Sequence, residues 1–230
     1  MKKSLFLLIG LLLLSLGALT SCDETKETDP YADWKVRNEH FLDSIADVAY
    51  AHEASGEWKI FRSYLQDYTS GTGSTGVNVP VAEGEVDDYI YVKVLQDARK
   101  LADTSLGASD CRSVLYTDSV YVHYKGTLIN GERFDGTFTS DLDYEITTPS
   151  TFAVSGLVTG FTTALQEMFE GDRRLPDWQY KGDRWLVYIP AALGYGTTDR
   201  DNIPAHSVLV FDIALCGVWS AGEEKPVWMN

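Results

Sequence analysis

The stretch at 122–137, VHYKGTLINGERFDGT, sets a tyrosine, Tyr124, in one apolar run and a phenylalanine–aspartate pair, Phe134 and Asp135, in the next. A phenol and a carboxylate among aromatic rings can bind, orient and desolvate a ligand, but neither is an activated nucleophile. The usual bond-breaking machinery is missing from the sequence. It holds no G-x-S-x-G elbow, no H-E-x-x-H and no C-x-x-C, and its histidines, His40, His52, His123 and His206, are scattered. A site of this kind works on the conformation of what it binds. Leu157, Val158, Phe161, Tyr195, Ile203 and Phe211 add apolar and aromatic groups at the ends and turns of other segments. Taken singly, such residues are more often core than site.

The elements that must position them follow from periodicity. Residues 87–95 alternate as a strand. In 120–125, Val120, Val122 and Tyr124 share one face and Tyr121, His123 and Lys125 the other. Asn130-Gly131 between two apolar runs predicts a two-residue hairpin turn with positive φ at both positions. GFTTALQEMFEG, 160–171, predicts a helix with Phe161, Ala164, Leu165 and Met168 on one face and Gly171 at its end. RWLVYIP at 184–190 and SVLVFDIALCGVW at 207–219 predict two more strands. Strands around one short helix imply an antiparallel sheet with a helix packed on it, an α+β arrangement.

Upstream, 31–53 has helical spacing through Phe41, Leu42, Ile45, Val48 and Ala49. GEWKIFRSYLQD, 56–67, predicts a second helical piece with Trp58, Phe61, Tyr64 and Leu65 along one side. The two could pack on the main domain or on another chain, so self-association through this segment is a candidate interaction. SGTGSTG, 70–76, is a linker by composition. Its G-x-G-x-x-G lacks the preceding strand that a dinucleotide site requires.

The chain opens with Lys2, Lys3 and the apolar run 5–19, of signal-peptide length and short for a membrane span. Leu19-Thr20-Ser21-Cys22 resembles a bacterial lipobox, which implies cleavage before Cys22 and its acylation. DETKETDP, 23–30, reads as an acidic tether. The formal charge is −15, and loss of Lys2 and Lys3 with the leader would make it −17. Such a charge disfavours nucleic acid and anionic lipid head groups. Cys111 and Cys216 are left either to pair in an oxidising compartment or to remain buried thiols.

Four blocks, VHYKGTLINGERFDGT, FAVSGLVTGFTTALQEMFEGD, WLVYIPAALGYG and IPAHSVLVFDIAL, occur in an order that resembles the FK506-binding-protein family of peptidyl-prolyl cis-trans isomerases, from about Asp88 to Val218. With the lipobox, the whole is similar to the lipoprotein isomerases of Gram-negative envelopes. The resemblance implies a twisted antiparallel sheet wrapped around one short helix, here preceded by a helical N-terminal segment. It implies an apolar pocket in which Tyr124, Phe134, Asp135, Val158, Phe161, Tyr195 and Phe211 act on the substrate, with Leu157 and Ile203 as further walls. Phe161 would form the floor, and the Val158 N–H and Tyr195 hydroxyl would donate to ligand carbonyls. No cofactor or metal is implied. The expected partners are proline-containing polypeptides and, through Cys22, a lipid bilayer, the outer membrane being the expected one. A non-catalytic binding module on the same fold is the rival expectation.

Three departures from the family bear on that choice. Phe161 stands where tryptophan is frequent, Ser150 where many members have an aromatic, and Gly156 where an acidic residue is usual. The insertion 172–184 carries Trp178 and Tyr180, which either meet partners or pack back. The organisation expected is a leader at 1–21, a tether at 22–30, a helical segment at 31–69, a linker at 70–86, the isomerase domain at 87–219 and a tail at 220–230.

Overall fold

Period-two alternation carries seven strands into one antiparallel sheet: β1 Trp58–Arg62, β2 Tyr89–Gln96, β3 Ser119–Thr127, β4 Arg133–Gly136, β5 Ser150–Ala153, β6 Arg184–Ile189 and β7 Leu209–Trp219. Their order is β1-β2-β6-β7-β3-β4, and β5 pairs with β3 through Val120↔Phe152. Among the described residues the helices are α1, Trp34–His52, the single turn α2, Ala98–Leu101, and α3, Thr159–Glu167. The computed structural model describes residues 29–63, 84–106 and 109–229. The leader, Cys22, most of the tether and nearly all of the linker lie outside them. The chain divides into two units, Met1–Ala32 and Asp33–Asn230, and all that follows concerns the second.

Each face of the sheet is covered by a different part of the chain. On the inner face, α3 packs its Phe161 ring 5.0 Å from that of Phe211. On the outer face, Leu42, Ala46 and Ala49 of α1 pack with Trp58, Tyr91 and Val208. Every fourth residue from Trp34 to Ala46 is buried, and so is Ala49. Val48, expected on that face, is exposed. Asn38 lies in the buried stripe for a definite reason. Its Nδ2 donates to the Trp34 carbonyl at 2.8 Å, and its Oδ1 accepts the Val208 N–H at 2.7 Å. One turn back, Trp34 Nε1 donates to Ser207 Oγ at 2.9 Å.

The expected helix at 56–67 is a strand where the structure describes it. Trp58 stacks on Tyr188 and Ile60 packs in the α1 cluster, whereas Phe61 stacks on Trp185 and Lys59 lies over the same ring. Alternate residues therefore satisfy opposite faces, which a helix could not do. Residues 64–69 fall outside the described chain. The hairpin turn also differs from expectation, since only Gly131 takes positive φ, at 84°. Its N–H donates to the Leu128 carbonyl at 2.9 Å, and Asn130 contributes its side chain, accepting the Glu132 N–H at 3.1 Å. The helix expected to reach Gly171 stops at Glu167, because Phe169 bridges Ser113 and the Glu170 N–H donates to the Arg112 carbonyl.

The insertion and the tail cover the rest of the outer face. Tyr180 stacks on Tyr144, and its hydroxyl donates to the Met229 carbonyl at 2.7 Å. Gln179 Nε2 donates to the Val227 carbonyl and its Oε1 accepts the Met229 N–H. Trp228 then lies edge-on to His123 and tilted on Tyr121. The insertion aromatics thus pack back on their own sheet. Cys111 and Cys216 are free thiols. Burial pushes the Cys216 thiol up to about 12.

Two stability predictions arise here. Asn38→Ala deprives the buried Val208 N–H of its acceptor and should cost about 1–3 kcal/mol in urea unfolding, whereas Trp34→Phe should cost about 1 kcal/mol. The second concerns His123, fully buried, which desolvation and the nearby Arg184 charge hold neutral down to about 4. Between about pH 6.5 and 4 the unfolded chain takes up a proton there that the folded chain refuses, so this contribution, at most about 3 kcal/mol, is lost as pH falls. Burial raises the Glu170 and Asp183 carboxyls, which act in the opposite sense. Comparison with His123→Leu isolates the histidine: the variant should lose less stability than the parent between pH 7 and pH 4.5.

Candidate active site

The site is built around β3. Tyr124 on this strand pairs with Ile213 of β7 and, being in phase with Val122, points to the α3 side. Its ring meets three others: Phe152 at 5.6 Å edge-on, Phe161 at 6.2 Å edge-on and Phe211 at 6.3 Å tilted. Phe134 of β4 meets Phe211 edge-on at 5.4 Å. Edge-to-face contacts of this kind add to the burial energy and fix ring orientation. They also require Gly126. A Cβ there would lie 2.6 Å from the Phe134 ring and 2.7 Å from Phe211.

Asp135 follows Phe134 where the β3–β4 register shifts between Gly126 and Thr127, so the two neighbours border the same cavity. Its Oδ2 accepts the Tyr124 hydroxyl at 2.8 Å and its Oδ1 accepts the Gly136 N–H at 2.7 Å. Burial first, then the hydrogen bond and charge of Asp135, raise the Tyr124 phenol above its ordinary range. It therefore remains a proton donor at any physiological pH, and its hydroxyl is directed at the carboxylate.

Phe134, Asp135, Tyr195, Arg200, Asp201, Asn202 and Ile203 line a cavity of about 360 Å³. Phe134 carries the ring contacts inward: the buried Phe211 ring packs on it, and the buried Tyr124 and Phe161 rings pack on Phe211. Leu157 and Val158 stand half-buried at the entrance of α3. The Val158 carbonyl accepts the Thr162 N–H at 3.0 Å, and amides at the start of a helix have no intrahelical acceptor. The structure thus gathers Tyr124, Phe134, Asp135, Phe161, Tyr195, Ile203 and Phe211, and sets Leu157 and Val158 at the helix mouth beside them.

One wall of the cavity is the tip 200–203 of the segment 196–206. Arg200 and Ile203 exchange backbone hydrogen bonds of 2.9 and 2.6 Å, which closes a tight loop with Asp201 at φ 39°. The Arg200 guanidinium sits 5.0 Å over the Tyr195 ring. His206 has φ 64°, and its N–H donates to the Gly196 carbonyl at 2.8 Å. Non-glycine residues in this region cost energy and are held only by their surroundings. Arg200, Asp201 and Asn202 are wall residues that sequence reasoning missed. Nothing in a polar run reveals the Arg200–Ile203 bridge that closes this loop. Phe152 was also missed. It supplies an aromatic edge to Tyr124 two residues after Ser150, and its phase with Val120 across β5 was the available signal.

His123 lies on the other face from this cavity, between Tyr144 and Trp228. Among the described residues, no group of three or more His, Cys, Asp or Glu could hold a metal ion.

Residues 111–216 match the family model for FKBP-type peptidyl-prolyl cis-trans isomerase. The FKBP-type peptidyl-prolyl cis-trans isomerase FkpA of Escherichia coli (strain K12) is 34% identical over 112 residues, 48% of this chain and 35% of that protein. The outer membrane protein MIP of Legionella longbeachae is 35% identical over 123 residues, 53% of this chain and 44% of that protein. The chain thus spans about a third to a half of the length of these curated relatives. The crystal structure of FkpA from Escherichia coli aligns with 86% of this chain and 76% of its own at 22% identity and a TM-score of 0.41. The matched segment, 111–216, contains all the site residues gathered above.

Proposed function

We propose that the chain catalyses cis–trans rotation about X-Pro bonds in polypeptide clients, and that it does so without a covalent step. The observation that carries this reading is the ring cluster of Phe134, Phe161, Phe211 and Tyr124 next to a cavity bordered by Tyr195. A peptide bond resists rotation by about 18–20 kcal/mol because of resonance. For X-Pro the two isomers are close in energy, but they interconvert in tens to hundreds of seconds. The twisted state has lost resonance and some charge separation, so the apolar surface of the rings destabilises the planar amide more than the twisted one. The rings hold the proline side while the preceding carbonyl swings. The Tyr195 hydroxyl and the Val158 N–H fix the flanking backbone. Only such differential binding lowers the barrier. Asp135 keeps the Tyr124 hydroxyl engaged and so presents a ring, with no free donor, to the proline.

Export and anchoring belong to the same proposal. The apolar run 5–19 and the small residues before Cys22 support cleavage at that cysteine and its acylation. Several acyl chains on one residue give durable membrane attachment, at about 0.8 kcal/mol per buried methylene. Among the described residues no helix is long and apolar enough to cross a membrane. Proline-containing exported proteins are then the natural clients.

The activity is checked by NMR exchange on a short X-Pro peptide with protein starting at residue 23. The expected outcome is acceleration that falls at least about tenfold, roughly 1.4 kcal/mol of barrier, in Tyr195→Ala and Asp135→Ala. A well-folded sample with no acceleration would leave the binding-module reading in its place. The anchor is checked by fractionation of the full chain. Cys22→Ala should move the protein from the membrane to the soluble fraction, and an unchanged distribution would refute acylation at that residue.

A further inference from the structure

The segment 191–197 has two sides. On one, Tyr195 borders the cavity described above. On the other, a second cavity of about 310 Å³ separates it from α1. The floor of this second cavity is apolar and buried, made by Leu42, Pro190 and Val208. Its walls are exposed: Glu39 on α1, and Ala192 and Thr197 opposite. Consecutive residues, Tyr195 and Gly196, therefore line two different cavities.

We propose that this groove is an extended subsite for the client polypeptide, holding residues that flank the proline after the chain has crossed the loop at Gly196. The inference rests on the isomerase reading of the first cavity. Three observations favour a client chain as the occupant. The segment 191–197 is a wall common to both cavities, with Tyr195 on the first and Gly196 on the groove. Its buried apolar floor between exposed walls suits an extended peptide, whose alternate side chains point in and out. It is also preformed. Asn38 Oδ1 holds the Val208 N–H at 2.7 Å, Ser207 Oγ accepts from Trp34 Nε1 at 2.9 Å, and the Gly196 N–H donates to the Ala191 carbonyl at 2.8 Å. The ordering cost of binding then falls on the peptide alone.

The test compares kcat/KM for a tetrapeptide centred on X-Pro with that for a ten-residue peptide extending it in both directions with apolar residues. Both are measured on the parent protein and on Ala192→Trp and Glu39→Trp, which fill the groove from opposite exposed walls. The parent should favour the long peptide by about tenfold, through KM. Each variant should cut that preference to about twofold or less while leaving the tetrapeptide within about twofold of the parent. A preference unchanged in both variants overturns the proposal. So does a parent with no length preference, the outcome expected if a second copy of the chain fills the groove. Failure of the parent on the tetrapeptide would instead overturn the isomerase reading, so the two failures are distinguishable.

Discussion

The Phe211 ring holds the rest of the site together. It lies on the central strand β7 and touches Phe161 of α3 at 5.0 Å, Phe134 of β4 at 5.4 Å and Tyr124 of β3 at 6.3 Å. Helix, hairpin and the strands β3 and β7 therefore share one contact point. Rings packed edge to face cannot slide independently, so the position of the cavity wall is set by the packing of the core. This is why Gly126 is a site residue although it offers no side chain. Any atom added there would push Phe134 and Phe211 apart, and the cavity would change with them.

A sheet with one apolar helix on its inner face still has an outer face to cover. The N-terminal helix covers one half of it through Leu42, Ala46 and Ala49, and the tail covers the other through Trp228 against Tyr121 and His123. Neither cover is neutral toward the site. Asn38 and Trp34 are bonded to Val208 and Ser207, and Ser207 Oγ in turn donates to the Pro204 carbonyl at 2.6 Å. Pro204 follows Ile203, a wall of the first cavity. The N-terminal helix thus braces the loop that bounds the site from behind, and the strained φ values of Asp201 and His206 sit inside that braced segment.

Much of this was legible in the sequence, and the gaps have physical causes. Long alternating runs such as 209–219 have one reading, because Leu209, Phe211 and Ile213 cannot share a helical face. WKIFR is too short for that. Over five residues, periods of 2 and 3.6 place Trp58 and Phe61 equally well, and the choice is made by Tyr188 on one face and Trp185 on the other. Asn38 was invisible because a polar residue in an apolar stripe is normally taken as surface. Its spacing of four from both Trp34 and Leu42 was the signal that it is buried. The pocket aromatics were legible through the resemblance, since they sit in blocks of fixed order. The polar tip 200–202 was not, since its place on the cavity border depends on a two-residue backbone bridge that any polar loop could lack.

The insertion at 172–184 and the tail bear on how clients would be chosen. Arg173 lies over Trp178 and bonds to Glu170 and the Val218 carbonyl, while Tyr180 and Gln179 are tied to the tail. These aromatics are engaged in intramolecular packing, on the face of the sheet away from the cavity. They are poorly placed to meet a client held between β4 and α3. The groups free to do so are those of the loop, where Arg200 is stacked on Tyr195 and Asp201 and Asn202 border the same space. If the cavity turns X-Pro bonds, the ring cluster treats every proline alike, and discrimination falls to this polar rim and to the surfaces continuous with it.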